Sequence, residues 1–141
     1  MPTYFVREAD YPGEQSWRLL DWCSRRGADE FSLAFLGPPY VPSTTWAHVD
    51  ELLVPFRRRV ASAGDRWLLT GETVTVLRDL LPGGLFTYTP AESSLEDLTV
   101  YRNGGTLLRI VTRQGVGILQ IRDDEAASLA RAKLPIHRRA Q

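Results

Sequence analysis

Three runs of alternating character near the C-terminal end constrain this chain more than any other feature. Residues 98–102, 106–112 and 116–122 are rich in aliphatic and β-branched side chains with a period of two. Asn103-Gly104 separates the first two runs, and Arg113-Gln114-Gly115 separates the next two. An Asn-Gly pair is a strong hairpin signal, because both central residues of a type I′ turn need positive φ. Connections this short leave no room for a crossover helix, so the runs can pair only antiparallel. The sequence predicts a three-stranded meander over about 98–122 and, around it, a single α+β domain with a mainly antiparallel sheet.

Helical periodicity supplies the other layer. Over 14–26, Trp17, Leu20 and Ser24 share a face that Leu19, Trp22 and Cys23 broaden. Gly27 follows as the stop, and Arg25 and Arg26 suit the negative end of the helix dipole. Thr70 is the expected N-cap of a helix over 71–81, where Val74, Leu77 and Leu81 recur on one side. A shorter helix is predicted over 45–53, with Trp46, Val49, Leu52 and Leu53 inward. A last one runs over 123–134, capped by Asp123 and stopped by Pro135. The helices over 14–26, 71–81 and 123–134 are expected to share one face of the sheet. Further strands are expected at Thr3–Arg7, at Glu30–Leu36, around 66–69 and at 85–89, while 56–60 reads equally as strand or helical turn.

The length of 141 residues suits one domain, expected over 1–134, with 135–141 as a basic tail that frays. Formal charge is zero, but 126–141 holds Arg131, Lys133, Arg138 and Arg139 without an acid, so the body is mildly acidic. That balance argues against nucleic acid as a partner, because phosphate binding needs a contiguous cationic face. The single cysteine, Cys23, excludes an internal disulfide and a cysteine-based zinc site. No apolar run approaches the roughly 18 residues that cross a bilayer. The N-terminal residues do not resemble a secretory leader, so a cytoplasmic location is expected and membrane association is not.

Candidate chemistry is sparse. His48, Asp50 and Glu51 form the one cluster of imidazole and carboxylates, with His48 and Glu51 spaced to meet on a helix. No metal site is expected, since the other histidine, His137, lies in the tail. Cys23 sits in an apolar stripe, where burial makes a thiol inert. No phosphate-cradling glycine loop or nucleophile elbow occurs, and no cofactor is expected. Arg57, Arg58 and Arg59 form a basic run able to clamp an anion. The loop 37–43 carries three prolines and presents Tyr40, with Trp46 close behind; a stiff aromatic loop loses little entropy on docking. Tyr101, Arg102, Arg109 and Arg113 are candidates for one face of the meander.

These features point to a non-enzymatic protein-binding module with Tyr40, Trp46, Arg57 and Arg58 as binding residues. Its size and charge resemble those of bacterial accessory and toxin-neutralising (immunity) proteins. Two readings compete with it. One is a small hydrolase centred on His48, Asp50 and Glu51, with Arg57 or Arg58 holding an anionic substrate. The other is a small-ligand binder with a cavity lined by Trp17, Trp22, Trp46 or Trp67.

Overall fold

The computed structural model describes residues 1–35, 51–60, 64–86 and 95–138. Seven strands form one sheet: β1 (Thr3–Arg7), β2 (Glu30–Phe35), β3 (Arg57–Val60), β4 (Gly64–Leu68), β5 (Leu95–Arg102), β6 (Gly105–Val111) and β7 (Val116–Gln120). Their order is β1-β7-β6-β5-β2-β4-β3, and every neighbouring pair is antiparallel. The expected meander is β5–β6–β7. Its first turn has Asn103 at φ 53° and Gly104 at φ 79°, the positive values that the Asn-Gly pair predicts. The ambiguous segment at 56–60 resolves as strand β3. Leu85 and Phe86, expected to begin a strand, are buried turn residues, and the rest of that prediction lies outside the described residues.

Among the described residues, the helices of nine or more residues are α1 (Glu14–Arg25), α2 (Gly71–Leu80) and α3 (Asp123–Arg131). Of the helix predicted over 45–53, only 51–53 are described, and they are helical. The three helices share one side. Arg78 of α2 reaches Glu14 of α1 at 3.1 Å, and Trp22 Nε1 of α1 lies 3.5 Å from Ser128 Oγ of α3. Beneath them the pleat turns Tyr4, Val6, Leu119, Leu108, Ile110, Val100, Phe31 and Trp67 into the core. At the β1–β7 crossing only glycine fits: a Cβ on Gly117 would lie 2.5 Å from Val6 Cγ2. A bulge at Leu107 lets two consecutive leucines, Leu107 and Leu108, both be buried.

The helix ends show where local chemistry prevails. Thr70 caps α2 as expected, accepting from Thr73 N at 3.2 Å while Thr73 Oγ1 accepts from Thr70 N at 2.7 Å. Helix α3 starts differently: the N-cap is Arg122, and Asp123 is the first helical residue and takes the Tyr4 hydroxyl instead. It also stops early, at Arg131, because Lys133 adopts φ 60° and Leu134 N returns to Leu129 O at 3.0 Å. That turn sends the tail back along β1. The Tyr11 hydroxyl donates to Pro135 O at 2.8 Å, and His137 exchanges backbone bonds of 2.7 and 2.8 Å with Phe5. The domain therefore holds its chain through Arg138 rather than releasing it at Pro135, and 139–141 lie outside the described residues. Among the described residues no helix is long and apolar enough to cross a membrane.

Candidate functional site

Strand pairing places one row of side chains across the face of the sheet opposite the helices. Phe5 pairs with Ile118, Ile118 with Arg109, Arg109 with Thr99, and Thr99 with Ser32. The β2–β4 register brings Arg66 next, and Arg66 pairs with Arg58. Side chains of paired residues point the same way, so this row lies on one surface. It is graded. At the β1–β7 end, Phe5, Val116 and Ile118 are half-buried apolar groups. Toward β3 the row becomes cationic.

Its cationic end is tightly organised. Glu30 is buried, with Oε2 at 3.3 Å from Arg58 Nε and Oε1 at 3.7 Å from Arg66 Nη1. The Arg66 guanidinium lies 3.6 Å from the centroid of the Tyr101 ring, a close cation–π contact. Tyr101 and Ser32 share a hydrogen bond of 2.8 Å between their hydroxyls. Among the described side chains, this face carries the arginines Arg7, Arg58, Arg66 and Arg109 and the carboxylate Glu30. Arg109 is exposed, and among the described residues none pairs with it. Guanidinia beside half-buried apolar groups equip this face for contacts by charge and by apolar burial.

The residues singled out from sequence divide into several groups. Tyr40, Trp46, His48 and Asp50 lie outside the described residues. Glu51 is exposed on the helical residues 51–53. Arg57 and Arg58 cannot form one two-armed clamp, because successive strand residues face opposite sides. Arg58 belongs to the open row, whereas Arg57 is in register with buried Trp67. Tyr101 and Arg109 share the open face as expected. Arg102 does not: it turns to the helix side and clasps Glu125 with bonds of 2.6 and 3.1 Å. Arg113 sits in the 3₁₀ turn Thr112–Gln114.

Among the described residues, the tryptophans considered for a ligand cavity sit in different surroundings, and Trp46 lies outside them. Trp17 borders a groove of about 750 Å³ between α1 and α2, and Trp22 a separate recess of about 140 Å³. Trp67 is core, its ring centroid 5.6 Å from that of Phe31. Burial pushes the Cys23 thiol up to about 12, which removes it as a nucleophile. His137 Nε2 lies 2.8 Å from Asp10 Oδ2 and serves to pin the tail. Among the described residues no group of histidines, cysteines and carboxylates has the layout of a metal site. Glu30 and Arg66 escaped sequence reading because only strand register brings them together. No protein-family model matches the chain, and no curated protein or solved structure is detectably similar to it.

Proposed function

We propose that this chain is a non-enzymatic protein-binding module that holds its partner on the open face of the sheet, in the manner of an accessory or toxin-neutralising protein. The observation that carries the reading is Arg109. It is exposed and lacks an ion-pair partner among the described residues, at the centre of a row that is apolar on one side and cationic on the other. A buried apolar anchor beside a guanidinium is the composition from which interface hot spots are built. The excess of arginines over carboxylates among the described side chains of this face favours a partner that offers carboxylates. Tyr40 and Trp46 follow β2 in sequence and belong to the proposal as aromatic anchors.

The test places a photo-crosslinking residue at 109, at 118 or at Thr75, which is exposed on α2, and exposes each protein to an extract of the source cell. The expected result is one protein crosslinked from 109 and 118 but not from Thr75. Equal crosslinking from Thr75, or recovery of nuclease-sensitive material alone, overturns the reading.

A further inference from the structure

A second cationic feature lies away from the open face. Helix α1 ends, the β5–β6 hairpin turns and α3 begins around one recess of about 500 Å³. Its walls include Arg25, Arg26, Arg102, Asn103 and Arg122, with buried Glu125 beneath. Three separate elements thus each bring at least one guanidinium to the same space.

Glu125 does not use up this charge. Arg102 holds it bidentately, at 2.6 and 3.1 Å, Arg122 N adds a third bond at 3.2 Å, and Arg122 Nη1 stands 3.8 Å from it. One saturated carboxylate set against four guanidinia leaves a local excess of three positive charges. Asp21 and Asp124 pair with Arg25 and Arg122 from outside, which reduces the wider excess to one. Both of those pairs are solvent-exposed, where water and salt screen the attraction.

Arg26 has no carboxylate partner among the described residues. It is nonetheless held in place, 5.5 Å over the Trp22 ring and bonded to Ser128 Oγ. Arg102 also caps the backbone carbonyl of Arg26 at 3.2 Å, which offsets the negative end of α1 next to the recess. Two of the four guanidinia are therefore fixed before any ligand arrives, so less entropy is lost when one binds.

Planar guanidinium forks match phosphoryl oxygens two at a time, and several forks around one space suit linked phosphoryl groups. We propose that this recess binds a diphosphate group, supplied either as inorganic pyrophosphate or as the terminal diphosphate of a nucleotide. The recess is distinct from the open sheet face, and the two proposals stand or fall separately.

The experiment titrates the ¹⁵N-labelled protein with inorganic pyrophosphate at about 0.15 M salt, where long-range attraction is screened. Parallel arms use ADP, inorganic phosphate and citrate. Pyrophosphate is expected to shift the signals of Arg26, Asn103 and Arg122 saturably. Arg26→Gln and Arg122→Gln, both at exposed positions, are expected to keep the fold and weaken binding about tenfold. ADP binding as tightly as pyrophosphate identifies the shared diphosphate as the recognised group; tighter binding of ADP makes the nucleotide the source. Three results overturn the proposal: no saturable shift, citrate and pyrophosphate binding alike, or binding unchanged in both variants.

Discussion

Glu125 and Glu30 are both buried carboxylates held by arginine, and they sit on opposite sides of the same sheet. On the helix side, Glu125 is 1% exposed and is clasped at 2.6 and 3.1 Å by the Arg102 guanidinium, with Arg122 Nη1 further off at 3.8 Å. On the open side, Glu30 has looser, single-point contacts at 3.3 and 3.7 Å, and one of its arginines, Arg58, has a half-exposed side chain. The first pair ties a hairpin to a helix end. The second leaves donors of Arg58 facing solvent. A carboxylate desolvated without full compensation costs stability, so the closed pair is a structural commitment, while the open pair leaves donors for the partner proposed above. In the proposed reading the two faces of the sheet divide the work of folding and recognition in this way, and each prediction below tests that division.

The largest effect is expected at Arg102. Arg102→Met strips buried Glu125 of its bidentate partner and leaves it Arg122 alone, through the main-chain bond at 3.2 Å and a guanidinium at 3.8 Å, which costs about 3 kcal/mol at neutral pH. Arg102→Met combined with Glu125→Leu should recover most of that loss in urea titrations. The hydrogen bonds from Arg102 hold the Glu125 carboxyl below its usual range. Its contribution is therefore complete above the unfolded value of about 4.3 and is lost as pH falls through the lower folded value. In Arg102→Met the penalty should shrink as the medium is acidified, because protonation discharges the buried carboxylate. A penalty that does not change with pH removes the ion pair from the explanation.

Adjacent residues of β7 give the next contrast. Leu119 points into the core and is fully buried, while Ile118 lies in the open row and is half-buried. Leu119→Ala should cost about 2–5 kcal/mol by leaving a cavity. Ile118→Ala should cost about 1 kcal/mol or less and should instead weaken partner crosslinking. If the two substitutions destabilise equally, something covers the open face and the distinction between the faces fails.

The same contrast explains which parts were legible in the sequence. The meander could be read because Asn103-Gly104 fixes a turn that few other dipeptides make, and alternation then assigns the strands. The end of α1 could be read because Gly27, at φ 92°, stands where a left-handed residue is required. Helix α3 closes with the same pair of bonds, but Lys133 fills the left-handed position, so periodicity carried the prediction on to 134. The docking of residues 135–137 is not legible for a related reason, since nothing local announces that His137 will pair with Phe5. Of the candidate site, Arg58, Tyr101 and Arg109 were found as residue types. Their common row, and Glu30 and Arg66 within it, depend on register between strands distant in sequence.

Cys23 reports how well the helix side is sealed. Its thiol, raised to about 12 by burial, contributes stability that is complete below the unfolded value of about 8.5 and is lost as pH climbs toward 12. In the native protein at about pH 8, a thiol reagent should modify Cys23 only as fast as the domain opens, and urea should accelerate it. A cysteine placed on the open face, Ile118→Cys in a Cys23→Ala background, should react without that delay. Equal rates would falsify the claim that one face is closed and the other accessible.

The smallest expected effect on stability carries the most functional weight. Arg109 is exposed and makes no ion pair with a described residue, so the folded state should not depend on its charge. Arg109→Ala should leave the urea midpoint within about 0.5 kcal/mol of the parent, as for ordinary surface positions. Arg109→Glu should be almost as well tolerated, since the nearest strand neighbours, Thr99 and Ile118, are uncharged. Partner capture should respond in the opposite way, falling with Arg109→Ala and more with Arg109→Glu, because a reversed charge repels the carboxylates the face is proposed to meet. A stability loss above about 1 kcal/mol in Arg109→Ala would mean that the guanidinium supports the fold. The open face would then be a second structural surface, and the contrast between Glu125 and Glu30 would reduce to hydrogen-bond length.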